Sequence, residues 1–201
     1  MIKSARLSYD KMKIEDVKEF KNWEKHESTI YDDYNFYEET DEQIEEWYLW
    51  KTSFGARYYT IFLKEEPIGY IGFKNIREYN KSATLGLVLN PYYIGKKYGE
   101  EALFSMGDVF FNDWKFQKLY LKVARYNQRA VALYKKLGFK KYATSVMIYP
   151  NEKPDKDDVE YIKNKKSFLN ILGKTFFYAD KMVLDRNYFN EVIKCTSSYR
   201  N

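Results

Sequence analysis

Thiols and imidazoles are nearly missing: one cysteine and one histidine stand among 201 residues. Cys195 has no partner, which excludes a disulfide framework and makes a reducing cytoplasm the expected compartment. Long uncharged apolar runs are missing too, and MIKSARLSYD at the start carries no sustained apolar segment behind its charges. Neither a membrane span nor a secretory leader is expected. Charge of one sign is also lacking, since 34 basic against 29 acidic residues leave only +5. The lysines are spread along the chain, and a cluster such as Lys163 to Lys166 lies beside the acids of Asp155 to Glu160, as on an ordinary solvated face. Nucleic acid and membrane are therefore not expected partners. No metal-ligand set is assigned. Without repeats or a low-complexity linker, residues 1–201 suit a single domain that buries its core unaided.

Aromatic residues are abundant, with 21 tyrosines and 14 phenylalanines. Beside many lysines and few alanines, that excess reads as compositional bias. Periodicity says more. Ile14, Val17, Phe20 and Trp23 predict a first helix with Asp16 near its start. Thr40 and Gln43 have the form of a capping box before the stripe Ile44, Trp47, Tyr48. From Arg57 the pattern changes to strands: RYYTIFL, IGYIGFKNI and SATLGLVLN form an antiparallel meander ending at Pro91. A helix follows from about Gly99 with Leu103, Met106 and Phe110 on one side. KLYLKVA then alternates as a strand, FKKYATSVMIY reads as another, and TFFYADKMVL as the last. Residues 151–173 are expected to insert a loop and an amphipathic helix, capped by Asp155, with Val159, Ile162, Leu169 and Leu172 on one side, as a lid or a dimer contact. The fold class is α+β (mixed α/β), a central sheet flanked by helices.

Two segments carry chemistry. In YNQRAVALYKKLGF, Asn127 suits an N-cap, Ala130, Leu133, Tyr134 and Leu137 share a face, and Gly138 supplies a left-handed stop. Tyr134 is either a hydrogen-bonded core tyrosine or a phenol reaching a cleft as a proton donor. In PYYIGKKYGEEALFSM, a strand, a glycine and lysine loop and a helix N-terminus come in sequence, an arrangement that can cradle phosphate. Alone, such a turn is more often conformational than functional.

Together these segments resemble the GCN5-related N-acetyltransferases (the GNAT family), particularly the branch of the ribosomal-protein alanine acetyltransferases. The resemblance runs from about Ile14 to Tyr149. IGKKYGEEAL is similar to the family's pyrophosphate loop, and Asn127, Arg129, Ala130, Leu133, Tyr134, Lys136, Gly138 and Phe139 fall in register with its most recognisable helix. It implies a mostly antiparallel sheet splayed at a cofactor cleft, and acetyl-CoA as the cofactor. It also implies acetyl transfer to a primary amine, with Tyr134 protonating the departing thiolate. Cofactor contacts are then expected at Leu87, Val88, Leu89, Gly95, Lys96, Lys97, Tyr98, Gly99, Glu100, Asn127, Arg129, Ala130 and Tyr134. The family's loop reads Gln or Arg, two residues, Gly, one residue, Gly or Ala. Ile94 to Gly99 lack the leading polar residue and the first glycine: with a negative φ at Lys97 the cradle survives and Lys96 and Lys97 add charge near the phosphates, and without it cofactor binding is weakened. Glu100 and Glu101 are expected to point away from the phosphates.

Thr84 stands where related enzymes often place a glutamate base. Asp32, Asp33, Glu38, Glu39, Glu78 and Asp180 are the alternatives, each more simply a surface or salt-bridged carboxylate, and His26 is expected at the surface or as a cap. The resemblance puts the acceptor beside the link between the first helices, where Tyr31, Asp32, Asp33 and Tyr34 would attract and pack a cationic amine. Three acceptor readings stay open: a small amine such as an amino sugar, polyamine or antibiotic, a peptide N-terminus, or no acceptor at all in a sensor that only binds acyl-CoA. The protein is expected as a monomer or homodimer.

Overall fold

The computed structural model describes residues 1–151 and 153–195, and the side chain of Cys195, with the question of its pairing, lies outside them. A short strand β1 (Ile2–Lys3) pairs with β2 (Leu7–Lys11), and helices α1 (Ile14–Phe20) and α2 (Asp41–Thr52) follow. Between these helices the acidic, aromatic segment winds into a 3-10 turn, Thr29–Tyr34. The capping box of α2 forms as its sequence requires, with Thr40 accepting from the Gln43 amide and Gln43 answering to Thr40.

The meander is β3 (Arg57–Leu63), β4 (Glu66–Arg77) and β5 (Ser82–Leu89). Helix α3 (Tyr98–Asp108) continues into a π-helical turn, Val109–Asp113, before β6 (Lys118–Ala124), α4 (Gln128–Lys136) and β7 (Lys140–Ile148). The chain then runs through α5 (Val159–Lys163), β8 (Phe168–Ile171), β9 (Lys174–Asp185) and α6 (Arg186–Cys195).

Among the described residues one nine-stranded sheet results, in the order β1-β2-β3-β4-β5-β6-β9-β7, with β8 also on β9. Its one parallel junction among the described residues is β5–β6, and that pairing lasts only from Ser82↔Lys118 to Thr84↔Tyr120. Beyond it each strand keeps to its antiparallel neighbour. Strand β5 stays with β4 as far as Leu89, and β6 stays with β9 to Ala124. The sheet therefore opens between them.

Three apolar clusters hold the layers. Phe104 and Met106 of α3 and Phe110 of the π-helical turn pack on one sheet face with Phe189 of α6. Phe20, Trp23, Ile44 and Tyr70 join α1 and α2 to the other. Ile30, Tyr126, Tyr161, Phe168 and Phe177 form the third, under the 3-10 turn. Among the described residues no helix is long and apolar enough to cross a membrane.

The expected amphipathic helix over 151–173 is corrected. The α-helical part is only one turn and a half, capped by Asp158 and followed by a 3-10 turn, Lys165–Ser167, and Leu169 lies on strand β8. Val159, Ile162 and Leu172 are exposed, while the rings of Tyr161 and Phe168 are buried. The two rings fill the third cluster more completely than the aliphatic stripe could, and so decide the rotation.

Candidate active site

Where β5 and β6 part, a cleft of about 490 Å3 opens, a size suited to a small molecule. One wall is the main chain of Leu85 to Leu89, whose far edge has lost its strand partner. Opposite stand Val123, Asn127, Ala130, Leu133 and Tyr134, and the loop from Gly95 to Glu100 frames the mouth.

Helix α4 fixes the phenol. Asn127 Oδ1 accepts from the Ala130 amide at 3.1 Å, which satisfies one donor of the first turn. At the far end Gly138 has φ +94°, and the Phe139 amide donates to the Tyr134 carbonyl at 3.0 Å. Tyr134 is 9% exposed, edge-on to Phe139, and its ring borders the cleft. Burial, with a smaller push from the Tyr34 phenol, raises its pKa above the usual tyrosine value. The phenol is thus neutral throughout the physiological range and able to donate.

The loop is built by successive reversals. Asn90 Oδ1 accepts from the Tyr92 amide at 3.1 Å over a 3-10 turn, Pro91–Tyr93, and the backbone then turns left-handed at Gly95 (φ +83°) and Lys97 (φ +66°). The negative φ on which an intact cradle depends is therefore not met at Lys97. This residue must swing the chain into α3, a conformation that glycine takes freely and lysine adopts at a cost of about 1–2 kcal/mol. The helix begins regardless, its first bond running from the Glu101 amide to the Lys97 carbonyl at 3.1 Å. The turn before that bond aims its N–H groups out of the helix, beside the positive end of the dipole.

Both glutamates of that turn have cationic partners. Glu100 receives Lys136 Nζ at 2.7 and 2.8 Å, tying α3 to α4. Glu101 accepts from Ser4 Oγ, Arg6 N and Arg6 Nε, each at 2.7 Å. Burial alone would raise the Glu101 carboxyl, but these bonds outweigh it and hold the pKa below the ordinary value. Glu101 points away from the cleft as expected, whereas Glu100 borders it.

Of the residues expected to meet the cofactor, Leu87, Val88, Leu89, Gly95, Lys97, Tyr98, Gly99, Glu100, Asn127, Arg129, Ala130 and Tyr134 all line this one cleft. Lys96 does not. Its ammonium lies 3.7 Å from the centroid of the Tyr92 ring, a cation–π contact that turns it outward. Asp33 and Tyr34 border the cleft, but Tyr31 and Asp32 do not. Tyr31 faces a neighbouring groove and donates to the Tyr126 carbonyl at 3.4 Å, and Asp32 is engaged by Tyr37, Asn35 and Asn151.

The alternative carboxylates separate in the same way. Glu78 pairs with Arg57 and Lys81, and Asp180 with Arg125 and Lys141. Burial would raise Asp180, but hydrogen bonds from Lys141 and Arg125 prevail and lower it. Asp33 is raised, first by burial and then by Asp32. His26, expected at the surface, is half-buried and lines the cleft, its pKa lowered to about 4 by burial and by Arg129.

Sequence reasoning missed Lys51, Tyr58, Tyr70, Lys74, Gly86 and Lys122, which also line the cleft. The available signal was strand parity, since Tyr70 and Lys74 on β4 alternate onto one face with Gly86 on β5.

A mixed sheet that divides at its one parallel junction, with a helix N-terminus at the mouth of the gap, is the architecture of the N-acetyltransferases. The chain belongs to the GNAT acetyltransferase family: residues 6–140 match the acetyltransferase (GNAT) domain. Members of this family generally use acetyl-CoA. Among solved structures, the chain is similar to a chimera of the spermidine N-acetyltransferase SpeG from Vibrio cholerae and hSSAT, with 19% identity over 92% of this chain and 99% of that one and a TM-score of 0.66. It is also similar to the Vibrio cholerae enzyme in complex with manganese ions (18% identity, 93% and 96% covered, TM-score 0.65). A mutant form of that enzyme matches comparably, at 18% identity, 92% and 97% coverage and a TM-score of 0.66. At such identities the likeness is one of fold. No curated protein matches the sequence.

Proposed function

We propose that the cleft binds acetyl-CoA and transfers its acetyl group directly to the primary amine of a small molecule, with Tyr134 as the proton donor. The observation that carries this reading is the placement of Tyr134 and the unpaired edge of Leu87 to Leu89 on one cavity. That edge can pair with the amides of an extended pantetheine arm as an added strand would. An N–H of the same edge would be available as a donor to the thioester oxygen, and such a donor is worth roughly 3 kcal/mol. At the mouth, the amides of Tyr98 and Gly99 and the Lys97 ammonium suit the pyrophosphate. Acetyl-CoA supplies the activated thioester. Bound there, it would leave Tyr134 placed to donate a proton to the departing sulfur as the amine takes over the acetyl group.

The attacking amine must be neutral, so a group has to accept its proton. Asp33 is the carboxylate that suits this role, directly or through water, because it borders the cleft and its raised pKa makes it a stronger base than an ordinary aspartate. The fold-level likeness to spermidine acetyltransferases supports a small amine. The register of Asn127 to Phe139 supports a nearer relation to the ribosomal-protein alanine acetyltransferases, for which a peptide N-terminus would be the acceptor.

Tyr134→Phe tests the reading. Thiol release from acetyl-CoA with a panel of amines should fall about 100-fold in kcat, with the coenzyme A Kd unchanged within twofold. Equal turnover in parent and variant removes Tyr134 from the mechanism. Absence of any calorimetric signal with coenzyme A removes the cleft.

A further inference from the structure

The acceptor end of the cleft is lined by cations. Across the sheet, Tyr58 pairs with Gly72 and Gly72 with Gly86, and these three occupy one row on the face covered by α1 and α2. Tyr58 lies over Gly72, since a Cβ there would come within 2.2 Å of its ring. At Gly86 a Cβ would meet nothing within 4 Å. The row thus ends in open floor, at the point where β5 and β6 separate.

Three lysines border the same cavity. Lys74 is two residues along β4 from Gly72, opposite Thr84. Lys122 is two residues beyond Tyr120, where the β5–β6 pairing ends, but its ammonium turns to Met147 Sδ at 3.5 Å. Lys51 reaches in from α2, its ammonium 5.0 Å from the Trp47 ring centroid, 5.9 Å from Tyr58 and 5.4 Å from Tyr70. None of the three forms an ion pair among the described residues. Glu38 is near enough to Lys51 to favour its charged form, but burial and the Lys74 charge prevail and lower the Lys51 pKa to about 8. Two cations that repel one another across a hollow gain by sharing an anion.

We propose that the acceptor is an amine that also carries a carboxylate or phosphate, held by Lys51 and Lys74 over Gly86, in preference to a polyamine. This rests on the reading of the cleft as an acetyl-transfer site and narrows its substrate class. A polyamine would bring a second ammonium toward these lysines, an arrangement that costs affinity at short range. An anion there would be partly desolvated at the edge of the packed Tyr58 and Tyr70 rings, where a charge-assisted contact with the lysines is strongest.

Calorimetry with two amines of equal length tests the proposal, 6-aminohexanoate against 1,6-diaminohexane, each titrated with and without saturating coenzyme A. The carboxylate is expected to bind at least about tenfold tighter. In Lys51→Gln/Lys74→Gln that ratio should fall to about one, while the coenzyme A Kd stays within twofold. Equal or tighter binding of the diamine, binding of neither ligand, or an unchanged ratio in the double variant overturns the assignment. The coenzyme A titration on the same samples reports separately on the cleft, so a failed cofactor reading is distinguishable from a failed acceptor class.

Discussion

Two side chains carry strain or charge in ways that single substitutions can isolate. Lys97 holds φ +66°, so Lys97→Gly relieves the left-handed cost while Lys97→Ala keeps it. Both lose the ammonium. The glycine variant should be about 1 kcal/mol more stable than the alanine variant, less than the full strain because glycine also gains freedom when unfolded. Their affinities for coenzyme A should fall alike, the loss shrinking as salt is raised; thermal unfolding and calorimetry separate the two effects. His26 is the second case, with a folded pKa of about 4 against 6.5 for the free residue. Above pH 6.5 neither folded nor unfolded chain binds that proton, and stability is complete. Between pH 6.5 and about 4 only the unfolded chain binds it, so stability declines as pH falls, by at most about 1.4 kcal/mol per unit and less where solvent enters. In urea titrations the parent should lose stability over that window relative to His26→Gln; parallel curves would refute it. The role of Asn127 as a cap was legible from residue type, because its side chain answers a local need. The left-handed Lys97 was not, because nothing in a lysine announces a positive φ.

Elements were read well where pattern and packing agree. The capping box of α2, the meander, β6 and α4 follow their sequence signals because each buries one periodic face. Strand β2 and helix α6 escaped, although Tyr9 and Phe189 are almost wholly buried, since short segments rich in polar residues show their burial only after the sheet is assembled. Gly72 and Gly86 show the same limit within one pair of strands. They face each other in register and are chemically identical, yet one is filled by Tyr58 and the other is open. Gly72→Ala should destabilise by about 1–3 kcal/mol, because the ring must move from a packed position. Gly86→Val should leave the unfolding midpoint nearly unchanged, valine being a good strand former, while raising the acceptor KM about tenfold or more. Chemical denaturation and steady-state kinetics on both variants decide the matter, and a stable Gly72→Ala with a crippled fold in Gly86→Val would reverse the description of that face.

At the scale of the molecule, the segment between β7 and β8 matters because of what it grips. Asp158 caps α5 through the amides of Glu160 and Tyr161, and the same carboxylate accepts from Ser28 Oγ, the Thr29 amide and Thr29 Oγ1. Tyr149 adds a bond from its hydroxyl to the Thr29 carbonyl at 2.8 Å. The 3-10 turn that carries Asp33 and Tyr34 into the cleft is thereby held from the opposite end of the sheet. Sequence alone placed the cap at Asp155, three residues early, because the deciding partners lie some 130 positions away. Asp158→Ala removes all these acceptors at once and should lower stability by about 2 kcal/mol. The walls expected to meet the cofactor, β5, α3 and α4, do not depend on it. The variant should therefore raise the acceptor KM while leaving the coenzyme A Kd within twofold, as measured by calorimetry beside initial-rate kinetics. A loss of cofactor affinity with acceptor binding intact would mean that the 3-10 turn braces the other end of the cleft.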